Sequence, residues 1–308
     1  MDINIGQQIL RALHNGSVPA YESAKYIMCG HEEERDAILE DLNYIKFKPN
    51  GNAHSGFKMI YGPYGSGKSF LCEVLKEEAL KYNFVVSEIV ISKNTQLHNF
   101  ETIYNKLMVG MRTNEFREFS AFRIIIESWI EREKSEIIRK YNLNPDDNEE
   151  DEEKLIARLK DKVALELAKA NTTNVSIVNA IISFCKGLLG GDNNLAQKAL
   201  AWFAGDTNIP SDIKKSIGVK GIVDKGNVFE FLKTLLYIIE KSGYAGLFVI
   251  IDEVETVRKE RKDIRYQAYE NLRLLIDMVS KDNLPGCYLL FTGTDELIED
   301  EEKGIKEH

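Results

Sequence analysis

The sequence lacks paired cysteine motifs, long apolar runs and a signal peptide, each of which would indicate a particular class of protein. Its four cysteines, Cys29, Cys72, Cys185 and Cys287, show no C-x-x-C spacing. Zinc sites and disulfide frameworks are therefore not indicated, and the apolar contexts of Cys72 and Cys287 predict buried thiols. No apolar run approaches about 18 residues and no signal-peptide core opens the chain, so a membrane span is not predicted and a reducing cytoplasm is the expected location.

An excess of positive charge is also absent. Forty Lys and Arg residues against 49 Asp and Glu residues give a formal net charge of −9. This balance argues against a surface that binds nucleic acid throughout, although a local basic patch is compatible with it. Hydrophobic residues make up 44% of the 308 residues and charged residues 29%, as in an ordinary globular protein of one large or two modest domains.

One glycine-rich stretch, Gly62-Pro-Tyr-Gly-Ser-Gly-Lys-Ser69, has the spacing G-x-x-x-x-G-K-[ST] of a phosphate-binding loop, or P-loop. A short apolar strand precedes it, and an amphipathic helix is predicted from Lys68 to about Lys81. Glycines let the backbone curl with its amides inward, and a side chain at Gly67 would block a phosphate. The alternative is a glycine-rich turn with an incidental lysine. The predicted nucleotide contacts from this stretch are Gly62, Pro63, Tyr64, Gly65, Ser66, Gly67, Lys68, Ser69 and Phe70.

Lys68 is expected to reach the β and γ phosphates of a bound nucleotide, and the Ser69 hydroxyl is expected to ligate Mg²⁺. A second stretch, GLFVIIDEVE from Gly246 to Glu255, is typical of a central parallel strand with carboxylates at its C-terminal end. We expect Asp252 to hold the Mg²⁺ near Ser69, directly or through water, and Glu253 to orient and polarise the attacking water. An acidic strand end without a metal is the alternative.

The order of elements predicts an α/β fold with a parallel sheet and right-handed crossovers. Strands are expected at 57–61, 84–91, 247–251 and 287–292. Helices are expected at 3–13, 32–44, 68–81, 98–112, 115–141, 150–170, 174–189, 193–204, 227–241 and 266–280. The predicted domains are an N-terminal helical segment (1–50), a core (51–112 and 223–308) and a large all-helical insertion (113–222).

Two features of the insertion have competing interpretations. Residues 146–153 carry seven acidic side chains in eight, which indicates a solvated loop or a helix start more than a metal site. Trp202 and Phe203 are expected in the core, with a base-stacking platform as the alternative.

The motifs together resemble an AAA+/origin-recognition-like P-loop ATPase. More narrowly, the chain resembles the ATP-binding proteins of bacteriophage-exclusion (BREX) defence systems over nearly its whole length. The stretches that carry the likeness are ILRALHNGSVP at 9–19, Gly30-His-Glu-Glu, Gly62–Leu71, VIIDEVE at 249–255, Trp202–Gly205 and LPGCYLLFTGTDEL at 284–297. The resemblance implies an ASCE-like P-loop NTPase core, ATP and Mg²⁺ as cofactors, and further chain after the last strand.

The resemblance also implies residue roles. Backbone near Ile27 and Gly30 would contact adenine, although a helix N-terminus with acidic residues explains the same pattern. Thr292 or Thr294 would sense the γ-phosphate, although strand-end turn chemistry also places Thr-Gly-Thr there. No arginine finger is identifiable; residues 256–265 are predicted to form a basic, exposed turn, and its arginines Arg258, Arg261 and Arg265 are candidates to act in trans.

The leading functional hypothesis is an Mg²⁺-dependent ATPase that couples ATP binding and hydrolysis to conformational change or assembly. The alternative is a slowly hydrolysing, nucleotide-dependent switch or scaffold. A GTPase is disfavoured because no N-K-x-D motif follows the Asp-Glu strand, and nothing indicates the acceptor pocket of a small-molecule kinase. Self-association or other defence-system proteins are the expected partners, while DNA contact cannot be argued from these residues.

Overall fold

The computed structural model describes residues 3–15, 19, 26–27, 30–48, 53–118, 120–170 and 172–305. Contacts divide the chain into two compact units. The first, the sheet unit, comprises Met1–His98, Gly110–Arg117 and Ala245–His308. The second, the helical unit, comprises Asn99–Val109 and Glu118–Tyr244.

Within the described residues, four strands form one parallel sheet. They are β1 (Gly56–Tyr61), β2 (Val85–Val90), β3 (Leu247–Asp252) and β4 (Cys287–Gly293), and their spatial order is β1-β4-β3-β2. Since all pairings are parallel, the C-terminal ends of the strands lie along one edge. The predicted α/β fold with a parallel sheet is confirmed, and β4 lies between the strand of the glycine-rich loop and the strand of the Asp-Glu pair.

The central strands are apolar because both of their faces are covered. Leu247–Ile251 are buried throughout, as is all of β4. Such continuous apolar runs are expected for a parallel strand with helices on both sides. In one core cluster, the helices before and after β1 pack against the sheet. Its buried residues include Ile38, Leu42, Leu71, Phe248 and Leu290.

The sheet unit also contains helices on the flanks of the strands. They are α1 (Ile3–His14), α2 (Glu32–Ile45), α3 (Lys68–Lys81), a 3₁₀ helix (Val254–Lys259), α11 (Lys262–Ser280) and α12 (Glu296–Glu299). The predicted buried thiols are confirmed at Cys72 and Cys287. Burial raises the pKa of the Cys287 thiol to about 12.

The helical unit is built from α4 (Phe100–Gly110, whose last residue belongs to the sheet unit), α5 (Phe122–Tyr141), α6 (Glu149–Lys169), α7 (Val175–Leu189), α8 (Asn193–Phe203), α9 (Ser211–Ser216) and α10 (Val228–Lys241). Its centre is aromatic. Phe203 stacks on Phe122 with ring centroids 5.2 Å apart, and Tyr104 and Phe231 meet it at steeper angles. Trp202 and Phe203 are buried, so the predicted core role is confirmed.

The acidic run at 146–153 marks a helix start, as predicted. Asn148 is the N-cap of α6, its side chain accepts a hydrogen bond from Glu150 N at 3.0 Å, and four acidic residues follow in the first turn. Carboxylates there interact favourably with the positive end of the helix dipole. In the part of the chain that the structure describes, no helix is long and apolar enough to cross a bilayer.

Two predictions for the helices of the helical unit were wrong. The helix expected from residue 115 begins at Phe122, because Thr113 closes a turn in which Phe116 N donates to the Thr113 hydroxyl at 3.0 Å. The short helix α9 was not predicted; it follows Pro210. A six-residue helix carries too little hydrophobic periodicity to be identified from sequence.

Candidate functional site

The glycine-rich loop connects β1 to α3 at the C-terminal edge of the sheet. Gly65 and Gly67 adopt φ angles of +83° and +92°, which favour glycine strongly. Gly67 is the N-cap of α3, and a Cβ added there would lie 2.8 Å from Nε2 of His31. Gly62 N donates to the Gly293 carbonyl at 3.3 Å, which fixes the start of the loop to the end of β4.

The side chains that follow the loop occupy the first turn of α3. Lys68 Nζ donates to the carbonyls of Gly62 at 2.7 Å and Pro63 at 3.0 Å, so the ammonium group lies against the first residues of the loop. Ser69 is exposed, and Phe70 is half-buried. Because free amides and the positive end of the dipole coincide at a helix N-terminus, this turn suits an anion.

Asp252 ends β3 and is held by two hydrogen bonds to one oxygen. Oδ1 accepts from Glu253 N at 2.9 Å and from the hydroxyl of Thr292, which is fully buried on β4. The pairing of Ile251 with Phe291 places these two strand ends side by side. The sequence predicted Thr292 at this edge but did not predict that its hydroxyl would donate to Asp252.

Asp252 also lies close to the first turns of α3. Burial, and then the negative charge of Asp252, raise the pKa of the Cys72 thiol well above its ordinary value. Cys72 lies one turn after Ser69 on the same helix. The charge of the carboxylate at the end of β3 therefore acts on the helix that carries the Ser69 hydroxyl.

Two further carboxylates follow Asp252. Glu253 has a left-handed backbone with φ 57°, an uncommon conformation for a residue with a side chain. Partial burial, and then the charges of Asp252 and Glu255, raise the pKa of Glu253. Glu255 is 5% exposed, and its Oε2 is buried without a hydrogen-bond partner among the described residues.

Glu255 was not among the predicted site residues. Its negative charge is the main cause that raises the pKa of Tyr64, a loop residue whose side chain is 74% exposed. A Cβ at Gly293 would lie 3.5 Å from Glu255 Oε2. The third acid of D-E-V-E therefore faces the loop and the end of β4, and its spacing after Asp252 was the signal that could have identified it.

Thr294, the other predicted sensor, is buried just beyond β4. Its carbonyl accepts from Leu297 N at 2.9 Å, while its hydroxyl oxygen has no hydrogen-bond partner among the described residues. The carboxylates of Asp252, Glu253 and Glu255 repel one another, which a divalent cation would relieve. In the described ranges, no group of three or more His, Cys, Asp or Glu residues has the geometry of a metal site formed by protein alone.

The N-terminal segment reaches the loop through His31. Its Nε2 lies 2.8 Å from the Ser66 carbonyl, a contact that the sequence analysis did not predict. Gly30 has φ +87° and its N–H donates to Glu32 Oε2 at 2.9 Å, while Ile27 is half-buried and lies in a turn. The adenine contacts expected near Ile27 and Gly30 stay a prediction.

The prediction of a basic, exposed turn at 256–265 was wrong for most of the stretch, although Arg261 is exposed. Val254–Lys259 form a 3₁₀ helix, and α11 begins at Lys262. Arg258 is paired with Glu296 and Asp300, and it lowers the pKa of Asp300 to about 2. Arg265 is 7% exposed and donates to the Glu260 carbonyl at 3.2 Å. The sequence could not show these partners, since the acids that bind Arg258 lie some 40 positions further on.

Comparison with protein families identifies one match. The model of the BREX system ATP-binding proteins BrxC/D matches residues 3–308. A search of curated proteins finds no match to the chain. The family match covers both units described above and confirms the narrower of the two resemblances drawn from the motifs.

Proposed function

This chain belongs to the family of BREX system ATP-binding proteins BrxC/D, and we propose that it is an Mg²⁺-dependent ATPase that hydrolyses ATP to ADP and phosphate at the Gly62–Ser69 loop. Hydrolysis would be coupled to conformational change or assembly within the defence system. The observation that carries the proposal is the meeting of the loop, the Asp252–Glu253 pair and the Thr292 hydroxyl at the C-terminal ends of three adjoining strands.

The loop supplies binding and charge stabilisation. Its amides and the N-terminus of α3 would surround the α and β phosphates, and Lys68 would exchange its bonds to Gly62 and Pro63 for the β and γ phosphates. Mg²⁺, when bound, would neutralise charge that develops on the transferred group. The ligands proposed for it are Ser69 and Asp252, together with phosphate oxygens and water.

Asp252 and Glu253 are proposed to have different roles, one toward the metal and the other toward the attacking water. Thr292 and Glu253 N both bind Oδ1 of Asp252, which orients the carboxylate and supports a role for Oδ2 toward the metal, directly or through water. Glu253 would hold the attacking water and accept its proton, and its raised pKa makes it a better proton acceptor than an ordinary glutamate. Thr294, whose buried hydroxyl is available for a partner, would sense the γ-phosphate.

One observation favours a second function, a slowly hydrolysing nucleotide-dependent switch or scaffold. Of the three arginines predicted as candidates to act in trans, Arg258 is occupied by Glu296 and Asp300 and Arg265 is buried, while Arg261 is exposed. Two of the three are therefore not presented to the ATP site of another subunit, and an arginine supplied in trans accelerates hydrolysis by roughly 10³–10⁵ in P-loop enzymes. On this reading ATP binding itself would select an assembled state.

Two measurements distinguish the ATPase from the switch. They are ATP binding and phosphate release, over a range of protein concentrations and with Mg²⁺ or EDTA. The ATPase proposal expects Mg²⁺-dependent turnover that Lys68→Ala abolishes, because the variant lacks the ammonium group beside the phosphates. Tight ATP binding with negligible turnover at every concentration selects the switch. A specific rate that rises with protein concentration would support self-association, and repeating the series with duplex DNA tests whether DNA is a partner.

A further inference from the structure

The contact between His31 and the loop carries an inference beyond the family's ATP binding. His31 is the N-cap of α2, and its Nε2 lies 2.8 Å from the carbonyl oxygen of Ser66. A carbonyl can only accept, so Nε2 must carry the proton and donate. This holds for the neutral ring protonated at Nε2 and equally for the imidazolium ion.

The bond determines which way one loop peptide faces. The Ser66 carbonyl and the Gly67 N–H belong to the same planar trans peptide, so they point in opposite directions. With the carbonyl bound to His31, the Gly67 N–H points away from the imidazole. If this peptide turned over, the loop would present a carbonyl oxygen to an anionic phosphate in place of an amide.

Rotation of this peptide is easy at Gly67 unless a neighbouring group opposes it. Gly67 has φ +92° and no side chain, so its backbone passes between conformations at low cost. The imidazole lies so close that a Cβ at Gly67 would meet Nε2 at 2.8 Å. His31 therefore restrains the Ser66–Gly67 peptide through both a hydrogen bond and contact.

The other ring nitrogen does not offer an equivalent anchor. Nδ1 is buried without a hydrogen-bond partner among the described residues, and the nearest ion-pairing oxygen, Glu34 Oε2, is 3.8 Å away. A buried polar atom left without a partner is unfavourable. The imidazole is thus held at this position by the Ser66 bond, not by a network around Nδ1.

We propose that His31 is a positioning residue for nucleotide binding, which fixes the Ser66–Gly67 peptide so that the Gly67 amide faces the phosphates. This rests on the proposal that Gly62–Ser69 is the phosphate site. It does not require hydrolysis. The amide in question supports the α and β phosphates, so ADP and ATP depend on His31 equally.

The test is nucleotide affinity in His31→Gln, His31→Asn and His31→Ala, measured by titration calorimetry with ADP and with ATP. The Gln amide nitrogen takes nearly the place of Nε2 and can donate to Ser66, whereas the Asn nitrogen is closer to the place of Nδ1. We expect His31→Ala and His31→Asn to lower the affinity for both nucleotides by about tenfold, or about 1.4 kcal/mol. His31→Gln should stay within about threefold of the wild type, since it restores the donor.

A matched control separates positioning from stability. Ile38→Val removes a methyl group from the buried face of the same helix and should lower stability without changing nucleotide affinity. The proposal is overturned if His31→Gln binds as weakly as His31→Asn. It is equally overturned if all three variants bind like the wild type, even with lower unfolding temperatures. Wild-type affinity in Lys68→Ala would instead refute the phosphate site itself.

Discussion

Replacing Gly67 by alanine tests the loop geometry at its tightest point. Two costs follow from the structure. A residue with a Cβ at φ +92° pays about 1–2 kcal/mol for the left-handed backbone. The new Cβ would lie 2.8 Å from His31 Nε2, so the imidazole must move and its bond to Ser66 is lost, for about 0.5–1.5 kcal/mol more. We expect Gly67→Ala to lower the free energy of unfolding by about 1.5–3.5 kcal/mol.

The adjacent glycine provides the control. Gly65 has a similar φ of +83°, but a Cβ there meets nothing within 4 Å. Gly65→Ala should therefore show only the backbone cost. Urea denaturation without nucleotide measures both variants, and in a His31→Ala background the two substitutions should cost the same. Equal costs of Gly65→Ala and Gly67→Ala in the wild-type background would refute the reasoning.

Three other outcomes follow from described contacts. Thr292→Val removes the hydroxyl that donates to Asp252 and should lower the free energy of unfolding by about 1.5–3 kcal/mol in urea denaturation; Thr292→Ser, which keeps the donor, should be milder, and equal costs would contradict the contact. Arg258, and then the backbone amides of Glu302 and Lys303, lower the pKa of Asp300 from 3.8 to about 2, so this acid contributes stability above its unfolded pKa that is lost as the pH falls between those values. Asp300→Asn should flatten that part of the unfolding profile, and an unchanged slope counts against the pair. Phe203→Ala should cost about 3–5 kcal/mol because Phe203 is buried against Phe122, while Leu165→Ala, at an exposed site in the same unit, should stay within about 0.5 kcal/mol; similar values would refute the aromatic core.

Helices and strands could be predicted from the sequence where a local pattern of residues determines the structure. The helix predicted from Lys68 to Lys81 has those bounds, and the strands differ from prediction by a residue or so at their ends. Continuous apolar runs such as Leu247–Ile251 identify buried parallel strands, and the glycine spacing identifies the loop. These signals also gave the order of motifs from which the family was suspected.

What escaped prediction depends on residues far apart in the chain. His31 and Ser66 are 35 positions apart, and the acids that bind Arg258 lie beyond β4. A basic run is usually a solvated surface, but here partners from a distant segment neutralise Arg258. No periodicity in the sequence encodes such contacts. For Glu255 the sequence did hold a signal, its spacing after Asp252, although its burial follows from the 3₁₀ helix after β3.

Phosphate release from Mg·ATP by the wild type and by Glu253→Gln, at nucleotide concentrations that saturate both, tests the central claim most directly. The variant keeps the size of the side chain but cannot accept a proton from water. The account predicts unchanged ATP affinity and a turnover lower by about 10²–10⁴. Equal turnover in the two proteins would contradict the assignment of Glu253 and with it the proposed mechanism of hydrolysis.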